Sequence, residues 1–134
     1  MKILGYNMFN KIKHFIQRGR RGFSDEDVWD FGSYLAEIVP PAVRQLKKGH
    51  GCPSEFYNKE RLNDECHLWH DILEEIAQGF EAVLALNNFN YFRTEKTDDG
   101  HYKQEIDQER YDALNKKAER GLELFAKWFQ SLWD

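Results

Sequence analysis

Cysteine is scarce: Cys52 and Cys66 are the only two in 134 residues, in separate segments and without C-x-x-C spacing. That argues against a disulfide framework and suits reduced thiols in a cytosol. Proline is limited to three residues, two of them adjacent at Pro40-Pro41, so few positions interrupt a helix. No run of eighteen successive apolar residues exists, which excludes a membrane-spanning helix on sequence grounds. An apolar leader with a cleavage site is also missing, so secretion is not expected. Neither H-E-x-x-H nor Glu-x-x-His occurs, which removes the common helical zinc and di-iron patterns. No helix-turn-helix, zinc-finger or RNA-recognition signature is visible, and a pI near 5.7 argues against broad duplex nucleic-acid binding.

What the chain does have is aromatic mass, 15% of its residues with four tryptophans, enough for a core. At this length one domain is expected, burying roughly two thirds of its unfolded surface without help from disulfides or metal. The net charge of −4 is unevenly spread. Lys2, Lys11, Lys13, Arg18, Arg20 and Arg21 fall in residues 1–22 with no acid among them, leaving residues 23–134 near −10. A basic arm on an acidic body can meet phosphate or pair with the body's own acids, and local pairing is the expected outcome.

Periodicity organises the chain as helices. Met8 to Arg18 reads as a short amphipathic helix with Phe9, Ile12, Phe15 and Ile16 in one stripe, stopped at Gly19. Such a basic helix could lie on a membrane surface, but packing of its stripe onto the domain is expected. Ser24 is placed to cap the next helix, its hydroxyl accepting from the Asp27 amide, with Asp25, Glu26 and Asp27 in the first turn. Val28, Phe31, Leu35 and Ile38 form its expected inward stripe, widened by Trp29 and Tyr34, and Pro40-Pro41 ends or kinks it. A further short helix carrying Val43 and Leu46 stops at Gly49. His50 to Asn58 reads as a loop. Leu62, Cys66, Trp69, Leu73, Ile76, Phe80, Val83 and Leu86 recur at three- and four-residue steps, predicting a long helix from about Glu60 to Leu86. Residues 87–104 form a loop or weak hairpin insert, Tyr91–Thr94 against His101–Lys103 about an Asp99-Gly100 turn. A last helix runs from about Asp107 to Leu132 with Leu114, Ala118, Leu122, Phe125, Phe129 and Leu132 inward. Leu124, Trp128 and Trp133 fall outside that stripe and mark a surface for self-association or a partner.

Several separated motifs occur together. They are Arg20-Arg21-Gly22-Phe23-Ser24-Asp25 with Asp27-Val28-Trp29 and Tyr34-Leu35-Ala36, then Cys52-Pro53-Ser54. After these come Trp69-His70-Asp71-Ile72-Leu73-Glu74-Glu75-Ile76 and the ending Gly121-Leu122-Glu123-Leu124-Phe125-Ala126-Lys127-Trp128-Phe129 through Leu132-Trp133-Asp134. In this order they resemble a family of small, uncharacterised bacteriophage proteins, from about residue 18 onward except the 87–104 insert. The resemblance implies phage or prophage origin and a host-cytoplasm location. It brings no catalytic residues.

Four groups of residues could carry chemistry. Arg18, Arg20 and Arg21 precede the Ser24 helix start, where free amides suit phosphate and Trp29 or Tyr34 could stack a base. Against that stand Asp25, Glu26 and Asp27, and pairing with those acids is the expected reading. His67, Asp71 and Glu74 share one face of the long helix, with His70 paired to Glu74 and Asp64 a turn earlier. These are weak metal candidates on what reads as a solvated face. Acids on two helices, Asp71, Glu74 and Glu75 with Glu109 and Asp112, could hold magnesium in a nucleotide hydrolase, although the Glu-x-x-Glu half is missing. Cys66 reads as a small buried hydrophobe, and Cys52 has no base that can be placed beside it.

The sequence therefore predicts an all-α single domain over residues 1–134, with 1–21 as a basic helix or arm. The long central helix packs antiparallel to the C-terminal helix, and a kinked Pro-Pro helix lies across them. No catalytic residue, cofactor or membrane partner is expected. The expected function is a non-enzymatic phage accessory protein binding a protein partner or itself through Leu124, Trp128 and Trp133. The alternatives are a nucleotide-sequestering module and a metal-dependent nucleotide hydrolase.

Overall fold

The structure, a computed structural model, describes residues 2–49, 51–56 and 62–133, with side chains described over 7–49, 51–56 and 66–133. The helix start expected at Glu60, the loop ends at His50 and Asn58, and the side chains of Leu62 and Asp64 lie outside the described residues. The chain divides into two compact units, residues 1–34 and residues 35–134.

In the first unit, helix α1 (Lys2–Arg21) is longer than its sequence pattern predicts. Gly19 is passed as an ordinary helical residue, and the stop falls at Gly22, whose φ of 83° is the left-handed conformation that favours glycine. The Gly22 amide still donates to the Arg18 carbonyl at 2.9 Å. Ser24 behaves locally as expected, accepting from the Asp27 amide at 3.3 Å while its own amide donates to Asp27 Oδ2 at 2.7 Å. This reciprocal box opens a run of turns over 25–30 and not the helix itself. Helix α2 (Phe31–Leu46) starts later, capped by Asp30, which accepts from the Ser33 amide at 3.1 Å. Of the expected stripe, Leu35 packs against the core, whereas Val28, which falls in the turns, and Phe31 and Ile38 are exposed. Along α1, Phe9, Ile12, Phe15 and Ile16 are all exposed.

The second unit is built on helix α3 (Leu62–Asn87) and helix α4 (Gln108–Trp128), which run antiparallel. Trp69 meets Trp128 near one end of the pair, and Gly79 meets Gly121 further along. Trp69, Leu73, Ile76 and Phe80 are buried as their three- and four-residue spacing requires. They form one core with Ala77, Leu124 and, from α2, Ala36 and Val43. Both prolines sit inside α2, so they do not end it. Each ring already holds φ near the helical value, only two amide donors are lost, and the Pro40 ring is buried.

Along α4 and just beyond it the expected inward residues Ala118, Phe125 and Leu132 face the core, whereas Leu122 and Phe129 do not and Leu124 and Trp128 take their place. Gly121 is buried and backs onto Gly79, where a Cβ would lie 2.5 Å from the Gly79 Cα. That close approach turns Ala118, Leu124, Phe125 and Trp128 toward the core and leaves Leu122 and Phe129 outside. Hydrophobicity alone prefers Leu122 to glycine as the inward residue; backbone contact requires the glycine.

Between the helices the 87–104 insert is a hairpin, β1 (Phe92–Lys96) antiparallel to β2 (Tyr102–Ile106). Its register runs from Phe92 opposite Ile106 to Lys96 opposite Tyr102, placing Arg93 opposite Glu105 and Glu95 opposite Lys103. These opposed charges support the pairing. The turn uses Gly100 at φ 84°. At the hairpin's base the Asp107 amide donates to the Tyr91 carbonyl at 2.8 Å, and Asp107 caps α4 through the Arg110 amide at 3.1 Å.

Candidate functional site

In the first unit the arginines and acids meet, as local pairing predicts. Arg18 Nε donates to Asp27 Oδ2 at 2.8 Å, and a second guanidinium nitrogen donates to Oδ1. Arg21 donates to Asp25 and, through Nε, to the Phe23 carbonyl at 3.0 Å, with its guanidinium carbon 4.6 Å from the Phe23 ring centroid. Lys13 lies 3.3 Å from Asp25, and His14 2.9 Å from Glu26. The guanidinium of Arg18 and the Ser24 amide hold the Asp27 carboxyl well below the usual carboxylate range. Arg18 also lies 6.0 Å from the Tyr34 ring centroid, and the Tyr34 hydroxyl donates to the Gly22 carbonyl. Ser24 is buried, and Trp29 is 91% exposed. The donors that a phosphate would need at Arg18, Arg21 and Ser24 are thus already engaged. Arg20 is exposed and carries no ion pair among the described residues.

On α3 the row of metal candidates does not converge. His67 and Asp71 are exposed and His70 is half-buried. Glu74 is engaged by α2, accepting from Arg44 at 2.9 Å and lying 3.3 Å from Lys47. Arg44 also pairs with Glu81. The Arg44 guanidinium beside it lowers the Glu74 carboxyl to about 2, with Lys47 acting in the same direction. Among the described residues no three histidine, cysteine or acidic side chains are grouped closely enough to share a metal ion. Glu75 pairs with Arg120 at 3.1 Å, and Asp112 accepts from Gln108 at 2.8 Å. Both cysteines are half-buried, and neither forms a disulfide.

The carboxyl-terminal surface keeps part of its expected composition. Leu124 is only 4% exposed and belongs to the core, which removes it from the expected interaction surface. Trp128 is largely enclosed, its ring 5.1 Å from Phe56 and 5.7 Å edge-on from Trp69. Its indole nitrogen is buried and has no hydrogen-bond partner among the described residues. Trp133 is 71% exposed. The residues displaced outward by the Gly79–Gly121 contact add to it: Leu122, Ala126 and Phe129, at i, i+4 and i+7, line one exposed face of the α4 segment and the 3₁₀ turn after it. Phe129 stacks edge-on against Phe125 at 5.4 Å. Phe125 in turn lines a groove of about 270 Å³ with Val39, Ala42, Val43, Leu46 and Leu132. Sequence reasoning missed Leu122 and Phe129 as surface residues. The usable signal was Gly121, a glycine in mid-helix that needs a reason to be there.

Helix α1 supplies a second exposed apolar face, with Phe15 at 77% and Phe9 at 69% exposure. No helix among the described residues is long and apolar enough to cross a membrane. No family model matches the chain, nor does any curated protein or solved structure.

Proposed function

We propose that this chain is a non-enzymatic accessory protein of phage origin that works in the host cytoplasm by binding a protein partner, a second copy included. The observation that carries the reading is the exposed row Leu122, Ala126 and Phe129, with Trp133 beyond it and the apolar groove behind Phe125. Aromatic anchors beside an apolar groove are where binding energy concentrates in protein interfaces. Burying a large apolar side chain there contributes roughly 1.5–3 kcal/mol.

The test is the triple variant Leu122→Ser, Phe129→Ser and Trp133→Ser. These side chains are exposed, so helical content and melting temperature should stay close to wild type. Sedimentation mass over a concentration series, together with capture experiments, should show an assembly or a specific partner that the variant loses. A wild-type protein that stays monomeric and captures the same proteins as the variant would overturn the reading.

A further inference from the structure

The N-terminal helix carries an inference beyond that surface. At roughly 100° per residue, Met8, Phe9, Ile12, Phe15 and Ile16 occupy a sector of about 120° on α1. All five are exposed. Lys11 and Arg18 border one edge of that sector; Lys13 and Arg20 border the other. Asp25, Glu26 and Asp27 take the opposite, polar face through Gln17, His14 and Arg18, with Lys13 and Arg21 also on Asp25. Lys11 and Arg20 therefore remain without an ion pair among the described residues, one on each side of the apolar strip.

We infer that α1 lies flat on an anionic phospholipid surface, with the apolar strip among the upper acyl chains and Lys11 and Arg20 at the phosphates. The charge pattern selects this occupant. Residues 1–22 hold six cations and no acid, so a second α1 laid on the strip would bring like charges together along both edges. An anionic bilayer offers negative charge on both sides of a sunken apolar strip at once. The long stems of lysine and arginine let their charged ends reach that level. Five apolar side chains make a modest anchor, so binding should be reversible and sensitive to salt.

Flotation of the full chain with phosphatidylcholine vesicles, with and without about one third phosphatidylglycerol, tests this. The protein should float with the anionic vesicles and not with the neutral ones, and added salt should release it. Ile12→Glu with Phe15→Glu should weaken binding at least about tenfold, since two apolar side chains are lost from the lipid phase. Lys11→Gln and Arg20→Gln should each weaken it about fivefold, the effect of one cation beside an anionic surface. Melting temperature and near-ultraviolet circular dichroism, unchanged in each variant, confirm folding. Absence of flotation at low salt, or equal binding by the double glutamate variant, would overturn the inference. A dimer that the same variant abolishes, with no vesicle binding, would overturn it in favour of a second copy of the chain.

Discussion

Trp128 places an indole N–H in the aromatic cluster with Phe56 and Trp69 with no acceptor among the described residues. An unpaired buried donor costs about 1–3 kcal/mol, whereas the ring's packing is favourable. The two contributions separate by substitution. Trp128→Phe keeps an aromatic ring and removes the orphan donor, so its unfolding free energy should stay within about 1 kcal/mol of wild type. Trp128→Ala removes the ring as well and should cost about 3 kcal/mol, read from the same urea titration. The Arg18–Asp27 pair shows a different residue-scale principle: the feature that made the arginines attractive for phosphate, charge beside a turn rich in amides, is satisfied within the unit. Which of the two would occur was not readable from residue spacing. It depended on α1 running on to Arg21, which brings the cations against the turn that follows.

Two glycines at the scale of the elements show how helix phase is set. Gly79→Ala would place a Cβ 3.0 Å from the Lys117 carbonyl and against the Gly121 backbone, neither of which can move like a side-chain end. Although alanine is the better helix former by about 1 kcal/mol, the clash should dominate and lower stability by about 1–3 kcal/mol. Gly19→Ala is the internal contrast, since nothing lies within 4 Å of the added Cβ. There the propensity gain should appear alone, as about 0.4–1 kcal/mol of added stability. Thermal melts of both variants check the sign of each. The long rows of α3 were legible because its buried positions are large and apolar. In α4, Ala118, Phe125 and Leu132 were legible in the same way, but Leu122 and Phe129 were misplaced because the tightest contact is made by a residue with no side chain. The hairpin was one of two readings, and its register became visible only with Arg93 opposite Glu105 and Glu95 opposite Lys103.

For the molecule, acid should expose the ionic ties that sequence spacing does not show. Glu74 on α3 is held by Arg44 of α2 and by Lys47 just past its end, and its folded-state value is lowered to about 2 from an ordinary 4.5. A lowered carboxyl contributes stability that is complete above its unfolded value and is lost as pH falls through the folded one. The stability difference between wild type and Glu74→Gln should therefore shrink from about pH 4.5 toward about pH 2. Denaturant midpoints across that range measure it; a difference independent of pH would show that the ion pair does not tie α2 to α3. Asp27 should act in the same direction within the first unit, because its carboxyl is lowered too.

By itself the sequence determined that the chain is mostly helical, that Trp69, Leu73, Ile76 and Phe80 form one buried row, and that no helix among the described residues is long and apolar enough to cross a membrane. Those properties follow from periodicity and run length, which are local. Only the tertiary structure decided which apolar residues remain outside. Leu122 and Phe129 were turned out and Leu124 in by a backbone contact between Gly79 and Gly121, and the polar face of α1 was taken by the acidic turn that follows it. Both outcomes depend on where one segment meets another, and hydrophobicity along a chain carries no record of that.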